Sequence, residues 1–181
     1  MNSFSSKLRL VFGDRVIRRR IGITLALLVV SRILAIIPIP GIDSSHLQTL
    51  FSGNQFLSLL NVFSGGGLAN LSIVMLGVSP YITSSIIMQL LTLMIPKLKA
   101  MYQEEGDAGK KRFSQYSRLL SIPLAVLQGF AFIVLFQKQA VLGVMTPMTL
   151  LIDLLVITAG SMLLVWIGEL ISEFGIGNGV S

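Results

Sequence analysis

The stretch that decides the fold is residues 56–95, FLSLLNVFSGGGLANLSIVMLGVSPYITSSIIMQLLTLMI. It contains two apolar segments, 56–63 and 73–95, which are separated by the run Ser64-Gly65-Gly66-Gly67. The second segment is long enough to cross a bilayer, which takes roughly 17–25 residues in a helix. Backbone N–H and C=O groups freed at such a break are tolerated at membrane depth only where protein buries them or water reaches them. The break therefore predicts a cavity or a pore.

The composition of the chain is that of a membrane protein. Hydrophobic residues make up 53% of the 181 residues, only 12% are charged, and the mean hydropathy is +0.82. These values lie well outside the usage of soluble domains. We therefore expect an all-α polytopic membrane protein. Four segments reach the length of a transmembrane helix, namely 21–37, 73–95, 119–136 and 148–168.

Several kinds of chemistry are excluded by the residues present. The chain has no cysteine and one histidine, His46, so it offers no disulfide, no thiolate ligand or nucleophile, and no histidine pair for a metal. We expect no catalytic residue, no metal and no cofactor. The run GIGNG at 175–179 lacks the G-x-G-x-x-G spacing of a dinucleotide loop and follows a helix instead of a strand. It is interpreted as a short cytoplasmic turn, in which glycines allow positive φ.

Basic residues are placed asymmetrically along the chain. Of the 14 Lys and Arg residues, six precede the first predicted span and six lie between the second and the third. The positive-inside rule makes this side cytoplasmic, which puts the N-terminus inside. Both clusters are interpreted as attraction to anionic lipid, about 1 kcal/mol per residue near the surface, and not as a nucleic-acid site. The expected segments outside the spans are a basic cytoplasmic N-terminus at 1–20, an external segment at 38–72, a cytoplasmic loop at 96–118 that is ordered only locally, an external loop at 137–147 and a cytoplasmic turn at 169–181.

We make one prediction for each end of the chain. The first apolar run ends in Pro38-Ile39-Pro40, which stops a helix, instead of a small-residue cleavage site. We therefore expect no cleavable signal peptide. The last residues form a glycine-rich run that looks like the approach to another element, so we expect truncation ahead of a further helix.

Among the polar residues within the predicted spans, four are candidates for a role. Arg32 lies five residues from the outer end of the first span, and either reaches the outer interface or faces the bundle and bonds to carbonyl groups. Thr83 and Gln128 are placed to hydrogen-bond a neighbouring helix, an interaction worth about 0.6 kcal/mol on average. Asp153, near the outer end of the fourth span, is predicted to lie at the interface.

Val78 and Ile82 form a short apolar pattern in the second span. They are one helical turn apart and share a face. Pro80, between them, lacks a backbone donor and is expected to loosen the helix. From the residues alone, this face either meets lipid or packs against another helix.

Four blocks of sequence, in this order, resemble the SecY family, the central subunits of the bacterial protein-conducting channel. They are RILAIIPIPGID at 32–43, FSGGGL at 63–68 with LGVSPYITSSIIMQLL at 76–91, EGDAGKKRFSQYSR at 105–118, and GE at 168–169 with GIGNGVS at 175–181. The resemblance runs from about residue 18 to the end of the chain. It implies a ten-helix protein of two inverted halves, to which this chain would supply four transmembrane helices and a short re-entrant plug helix.

The resemblance also implies roles for individual residues. Val78 and Ile82 match two positions of an apolar pore ring, which resists ions by dewetting, although Val78 is smaller than the isoleucine common there. Thr83 and Gln128 resemble polar positions of a lateral gate toward lipid. A small plug helix is expected between about residues 61 and 71, closing the pore from outside. The plug residues are Asn61, Val62, Phe63, Ser64, Gly65, Gly66, Gly67 and Leu68.

The function implied by the resemblance is a passive conduit that moves unfolded polypeptides across the membrane and releases hydrophobic segments sideways into lipid. Implied partners are SecE and SecG subunits, the SecA motor ATPase, a translating ribosome, and secretory polypeptides with their signal sequences. The implied location is the plasma (inner) membrane of a bacterium. The alternative is a secondary transporter with a broken re-entrant helix, in which Asp153, Arg32 and Gln128 bind a coupling ion and a substrate.

Overall fold

The computed structural model describes residues 14–39, 55–63, 66–67, 70–103, 106–138, 142 and 145–180. Within these ranges the regular structure is helical, as the predicted all-α class requires. The helices are, in chain order, α1 (Arg15–Leu34), α2 (Gln55–Phe63), α3 (Ser79–Met94), α4 (Pro96–Gln103), α5 (Gly106–Lys138) and α6 (Pro147–Phe174).

Two helices are long and apolar enough to cross a membrane, among the residues that the structure describes. They are Ala108–Lys138, within α5, and Pro147–Phe174, which is α6. A third span results if α3 and α4 are counted together as one bent span. The α1 helix ends at Leu34 and carries Arg32 in its last turn, and it does not meet the same criteria. The count of four transmembrane helices therefore stays a prediction.

The α3 helix begins later than predicted. Residues 73–78 are turns, and the helix starts at Ser79 with Pro80 in its first turn. A proline in the first turn costs no hydrogen bond, because an N–H at that position has no partner within the helix. The prediction that Pro80 loosens a helix is therefore wrong. Residues 70–78, called the connecting segment below, are an irregular link that leads into α3.

The residues that follow α1 hold the connecting segment on one side. The Ile39 N–H donates to the Leu71 carbonyl at 2.9 Å, and the Ile73 N–H donates to the Ile37 carbonyl at 3.0 Å. Leu71 has a φ of 42°, a left-handed conformation that costs a residue other than glycine about 1–3 kcal/mol. Its side chain is only 1% exposed. We infer that this burial and the backbone bonds together offset the strain.

On its other side, the connecting segment packs against α6. A Cβ at Gly160 would stand 2.0 Å from the carbonyl oxygen of Ile73, so only glycine permits this approach. One residue further, Ser161 Oγ donates to the Gly77 carbonyl at 2.9 Å. The connecting segment is therefore wedged between the end of α1 and the middle of α6. The main apolar core beside it consists of Ile39, Leu71, Met75, Leu76, Ala125, Ile133, Phe136, Leu142 and Ile157.

A sharp bend separates α3 from α4. The two axes differ by 110°, and Ile95 between them is extended because the residue before a proline is pushed out of the helical region. Met101 of α4 packs against Phe113 of α5 in a second apolar cluster. Residues 96–103 and 106–118 are thus helical. The prediction that segment 96–118 is ordered only locally is wrong, because its apolar residues bury one another.

Candidate functional site

A cleft of about 380 Å³ lies between α1, the connecting segment and α6. Its walls are mostly apolar, and Arg32 is the charged side chain among the described residues that line it. Such walls exclude water from the backbone but offer few groups that bind a ligand strongly. The principal apolar lining comes from Leu28, Val74, Gly77, Val78, Leu164 and Ile167.

The two predicted pore-ring residues lie one turn apart at the start of α3. Val78 lines the cleft, and its carbonyl accepts the Ile82 N–H at 3.0 Å. The Ile82 side chain is 44% exposed. Gly77, with a φ of 59°, precedes Val78 and accepts the Ser161 hydroxyl, so α6 fixes the backbone that carries Val78. The pore-ring role of both residues stays a prediction.

Arg32 lies in the last turn of α1 and lines the cleft. The sequence predicted that Arg32 either reaches the outer interface or faces the bundle, and its position in the cleft wall corresponds to the second of these. Its side chain is exposed in this chain, so the guanidinium group brings a positive charge to an otherwise apolar wall.

The predicted plug falls only partly within the described residues. Ser64, Gly65 and Leu68 lie outside them, and so does the side chain of Phe63. The nearest helix, α2, spans Gln55–Phe63. It therefore precedes the glycines, whereas the sequence predicted a helix from about 61 to 71 that includes them.

Gly66 and Gly67, which follow α2, lie in a turn. Gly66 has a φ of 87°, which a glycine adopts without steric cost. Its N–H donates to the Asn61 carbonyl at 2.9 Å, and a bond of this kind between residues five positions apart closes many helix C-termini. Asn61 and Val62 thus belong to the last turn of α2, while Gly66 and Gly67 belong to the turn. The predicted helix at 61–71 is wrong because this bond ends the helix before the glycines.

The two predicted lateral-gate residues lie on different helices. Thr83 Oγ1 donates to the carbonyl of Ser79 in its own helix, at 3.0 Å, and not to a neighbouring helix as predicted. Gln128, on α5, is half-buried. In the part of the chain that the structure describes, no hydrogen bond joins Gln128 to Thr83. Their role in a gate stays a prediction.

Serines make two of the polar contacts between helices. Ser84 Oγ donates to the Ser117 carbonyl at 2.7 Å and joins α3 to α5. Ser121 Oγ lies 3.4 Å from Met162 Sδ and joins α5 to α6. Small residues allow helices to approach closely. Ser84 and Ser121, small polar residues within predicted spans, were the sequence signal for these contacts.

Asp153 is buried within the protein. It is 1% exposed, and its Oδ2 has no hydrogen-bond partner. It lies on the same face of α6 as Leu150 and Ile157, which pack in the main core. The main core therefore extends to the second turn of α6, and the position of Asp153 at the membrane interface stays a prediction. Among the described residues, no group of three His, Cys, Asp or Glu side chains is arranged to hold a metal ion.

The glycine turn after α6 closes one end of the cleft, where Gly179 and Val180 line it. Residues 175–180 are called the glycine strap below. The Ile176 N–H of the strap donates to Thr24 Oγ1 of α1 at 3.2 Å. Gly177 has a φ of 80°, so the predicted turn with a glycine at positive φ is confirmed.

An ion pair joins α5 to α6 near the glycine strap. It links Arg118 Nη2 to Glu169 Oε2, residues that sequence analysis did not single out. Arg118 Nε and Glu169 Oε1 are buried without hydrogen-bond partners. The pair therefore links the end of α6 to α5, at some desolvation cost.

This arrangement defines a helical membrane protein with an irregular link wedged beside an apolar cleft. The SecY family model matches residues 72–181, and the chain belongs to the SecY family. It is 43% identical over 179 residues to the protein translocase subunit SecY of Streptomyces galbus, covering 91% of this chain and 41% of that protein. It is 40% identical over 195 residues to the same subunit of Mycobacterium leprae, covering 100% of this chain and 43% of that protein. The chain thus spans less than half the length of these relatives.

Solved channels share the fold. Sec61 in the canine ribosome-channel complex from the endoplasmic reticulum gives a TM-score of 0.61 at 23% identity, covering 92% of this chain and 35% of that chain. A SecY structure, described by a plug domain that stabilises the closed state of the translocation channel and maintains a membrane seal, gives 0.60 at 23% identity, covering 92% and 34%. The all-α membrane-channel fold and the resemblance to the SecY family are therefore confirmed.

Proposed function

We propose that this chain forms part of a protein-conducting channel, a passive conduit for unfolded polypeptides that also releases hydrophobic segments sideways into lipid. The observation that carries the proposal is the apolar cleft with Val78 in its wall, in a chain of the SecY family. Branched apolar side chains offer a passing polypeptide no strong binding site, and an apolar constriction resists ions by dewetting. Transport of this kind requires no chemical step from the chain, so we propose no enzymatic activity.

In this proposal Val78 and Ile82 contribute to the pore ring. Their positions at the very start of α3 support this role, because the backbone there is held by a contact with α6 as well as by bonds within α3. Ser161 on α6 bonds to Gly77, next to Val78. The ring would therefore keep its shape even when the segment before it moves.

The plug in this proposal comprises residues 61–68. Support comes from the geometry on either side of it. The α2 helix ends before the glycines, and on the far side Leu71 is fixed to Ile39 by a backbone bond. A segment between a helix end and a fixed anchor can move without breaking a long helix. The SecY structure described by its plug domain also supports this role.

Thr83 and Gln128 form part of the lateral gate in this proposal. The Thr83 hydroxyl is satisfied within its own helix, so it contributes no strong bond that would hold a gate shut. A gate with weak polar contacts suits a seam that opens when a hydrophobic signal sequence enters.

The proposed partners follow from the family. They are SecE and SecG subunits, the SecA motor ATPase or a translating ribosome as the source of energy, secretory polypeptides, and anionic lipid near the basic residues. We place the chain in the inner membrane of a bacterium with its N-terminus in the cytoplasm, as the distribution of Lys and Arg indicates.

Crosslinking to a translocating polypeptide tests the proposal directly. This chain has no cysteine, so a cysteine that replaces Val78 or Ile82 introduces one defined site. In the full-length protein, both cysteines should crosslink to a secretory chain stalled in transit. A cysteine that replaces Leu155 is the matched control, because Leu155 lies on α6 and is 62% exposed away from the cleft.

Absence of crosslinks at 78 and 82, with the stalled chain present, would contradict the pore ring. Uptake of a small solute coupled to an ion gradient in proteoliposomes would instead favour the secondary transporter, with Asp153, Arg32 and Gln128 as its ligands.

A further inference from the structure

The glycine strap approaches α1 so closely that its first residue has no room for a side chain. A Cβ at Gly175 would stand 2.5 Å from Thr24 Oγ1 on α1 and 2.6 Å from the Ile171 carbonyl oxygen on α6. A larger residue at 175 therefore requires the strap, Thr24 or both to shift. Gly175 has a φ of −99°, which any residue adopts, so the close approach alone explains the need for glycine.

The other end of the strap is fixed to α6. The Gly179 N–H donates to Ser172 Oγ at 2.9 Å, and Ser172 Oγ donates to the Gly168 carbonyl at 3.0 Å. A Cβ at Gly179 would stand 2.1 Å from the Gly168 carbonyl oxygen. The strap is thus packed onto α6 and forms one rigid unit with its last turns.

Thr24 is the residue through which α1 meets the strap. Its Oγ1 donates to the Arg20 carbonyl at 3.0 Å and accepts the Ile176 N–H at 3.2 Å. The hydroxyl hydrogen is therefore committed to α1, and the lone pair is left for the strap. No residue of α1 is buried, so in this chain polar contacts such as the bond between Thr24 and the strap do much to position it.

We propose that Thr24 and Gly175 are positioning residues that set the width of the cleft at the end closed by the glycine strap. The proposal rests on the proposed function, because the width of the cleft matters only if a polypeptide passes through it. Leu28, one turn from Thr24, lines one wall of the cleft, and Leu164 of α6 lines another. A displacement of α1 at Thr24 therefore moves one wall away from the other.

A measurement of the distance between α1 and α6 tests whether Thr24 and Gly175 position α1. Spin labels are attached to cysteines that replace Leu25 and Phe174, both of which are exposed, in the full-length protein in lipid vesicles. Gly175→Ala should lengthen the distance by roughly 1 Å, the shift that brings Thr24 back to ordinary van der Waals contact, and Gly175→Val should lengthen it further. Thr24→Val removes both hydrogen bonds but keeps the shape, so it should broaden the distance distribution, and Thr24→Ser should restore it.

Two control variants match these changes. Gly22→Ala adds the same methyl group to α1, where a Cβ meets nothing within 4 Å. Thr92→Val removes a hydroxyl that bonds within its own helix, to the Gln89 carbonyl at 2.6 Å. Neither should change the distance. Unchanged distances in both Gly175→Ala and Thr24→Val would overturn the inference.

The ion conductance of the same variants tests the link to transport. Gly175→Ala and Thr24→Val should raise the conductance of the full-length channel several-fold, while both controls should leave it at the wild-type value. Longer distances with unchanged conductance would overturn the link between the strap and the cleft. A wild-type protein that moves no polypeptide would overturn the proposed function instead, and the distances would still decide whether the strap positions α1.

Discussion

Gly160 of α6 is in direct contact with the backbone of the connecting segment at Ile73. The carbonyl oxygen of Ile73 occupies the place that a Cβ of residue 160 would need. Gly160→Ala should therefore destabilise the protein by about 1–3 kcal/mol, the usual cost of an overpacked core. Thermal unfolding of the purified full-length protein in detergent measures this.

Gly22→Ala serves as the control for the alanine at 160, because a Cβ at Gly22 meets nothing. Its melting temperature should equal or exceed that of the wild type, since alanine is favoured over glycine in helices by up to about 1 kcal/mol. Equal melting temperatures for the two variants would contradict the close contact.

The Arg118–Glu169 pair should contribute measurably to stability. Glu169 is 24% exposed and Arg118 43% exposed, so solvent screens the pair only in part. Removing one partner leaves the other in a poorly solvated site. We expect a coupling of about 1 kcal/mol in a double-mutant cycle with Arg118→Gln and Glu169→Gln. Additive effects of the two substitutions would show that the ion pair itself contributes nothing.

Ile82→Ser should raise the ion leak of the resting full-length channel. A small polar side chain at the proposed ring gives water a partner and weakens dewetting. Single-channel recording in planar bilayers measures the leak. Ile86→Ser is the matched control, since Ile86 lies one turn further along α3 and is also exposed, at 51%. The pore-ring assignment fails if both serine variants leak equally.

Deleting residues 61–67 should raise the resting leak as well and relax the requirement for a good signal sequence. The deletion begins in the last turn of α2 and ends before Leu71, so the backbone bond between Leu71 and Ile39 remains. Export of a reporter with a weakened signal sequence measures the second effect. Unchanged conductance after the deletion would count against the plug.

The sequence predicted the helical class and the glycine break because both depend on local chemistry. A long apolar run forms a helix wherever a membrane surrounds it, and a glycine run ends α2 by the turn that Gly66 makes. The start of α3 was harder to predict. Pro80 is compatible with a helix that it interrupts and with one that it begins, and contacts of the connecting segment with Ile37 and Gly160 decide between the two.

Contacts between distant residues account for the other differences. The burial of Asp153 follows from the core around Ile157, and nothing in its own turn of sequence indicates this. The strap was predicted as a turn, but the need for glycine at 175 arises from Thr24, which is far away along the chain. Polar residues within spans drew attention to Thr83, whereas serines such as Ser84 join the helices.

The bend of 110° between α3 and α4 limits how α3 can move. In the proposed channel α3 crosses the bilayer, and the bend then turns α4 toward the membrane plane, where the exposed Lys97 and Lys99 resist entry into the hydrocarbon. The α4 helix then opposes sliding of α3 along the membrane normal. The α3 helix can still tilt and rotate. Motions of this kind separate neighbouring helices without changing the depth of either helix in the membrane.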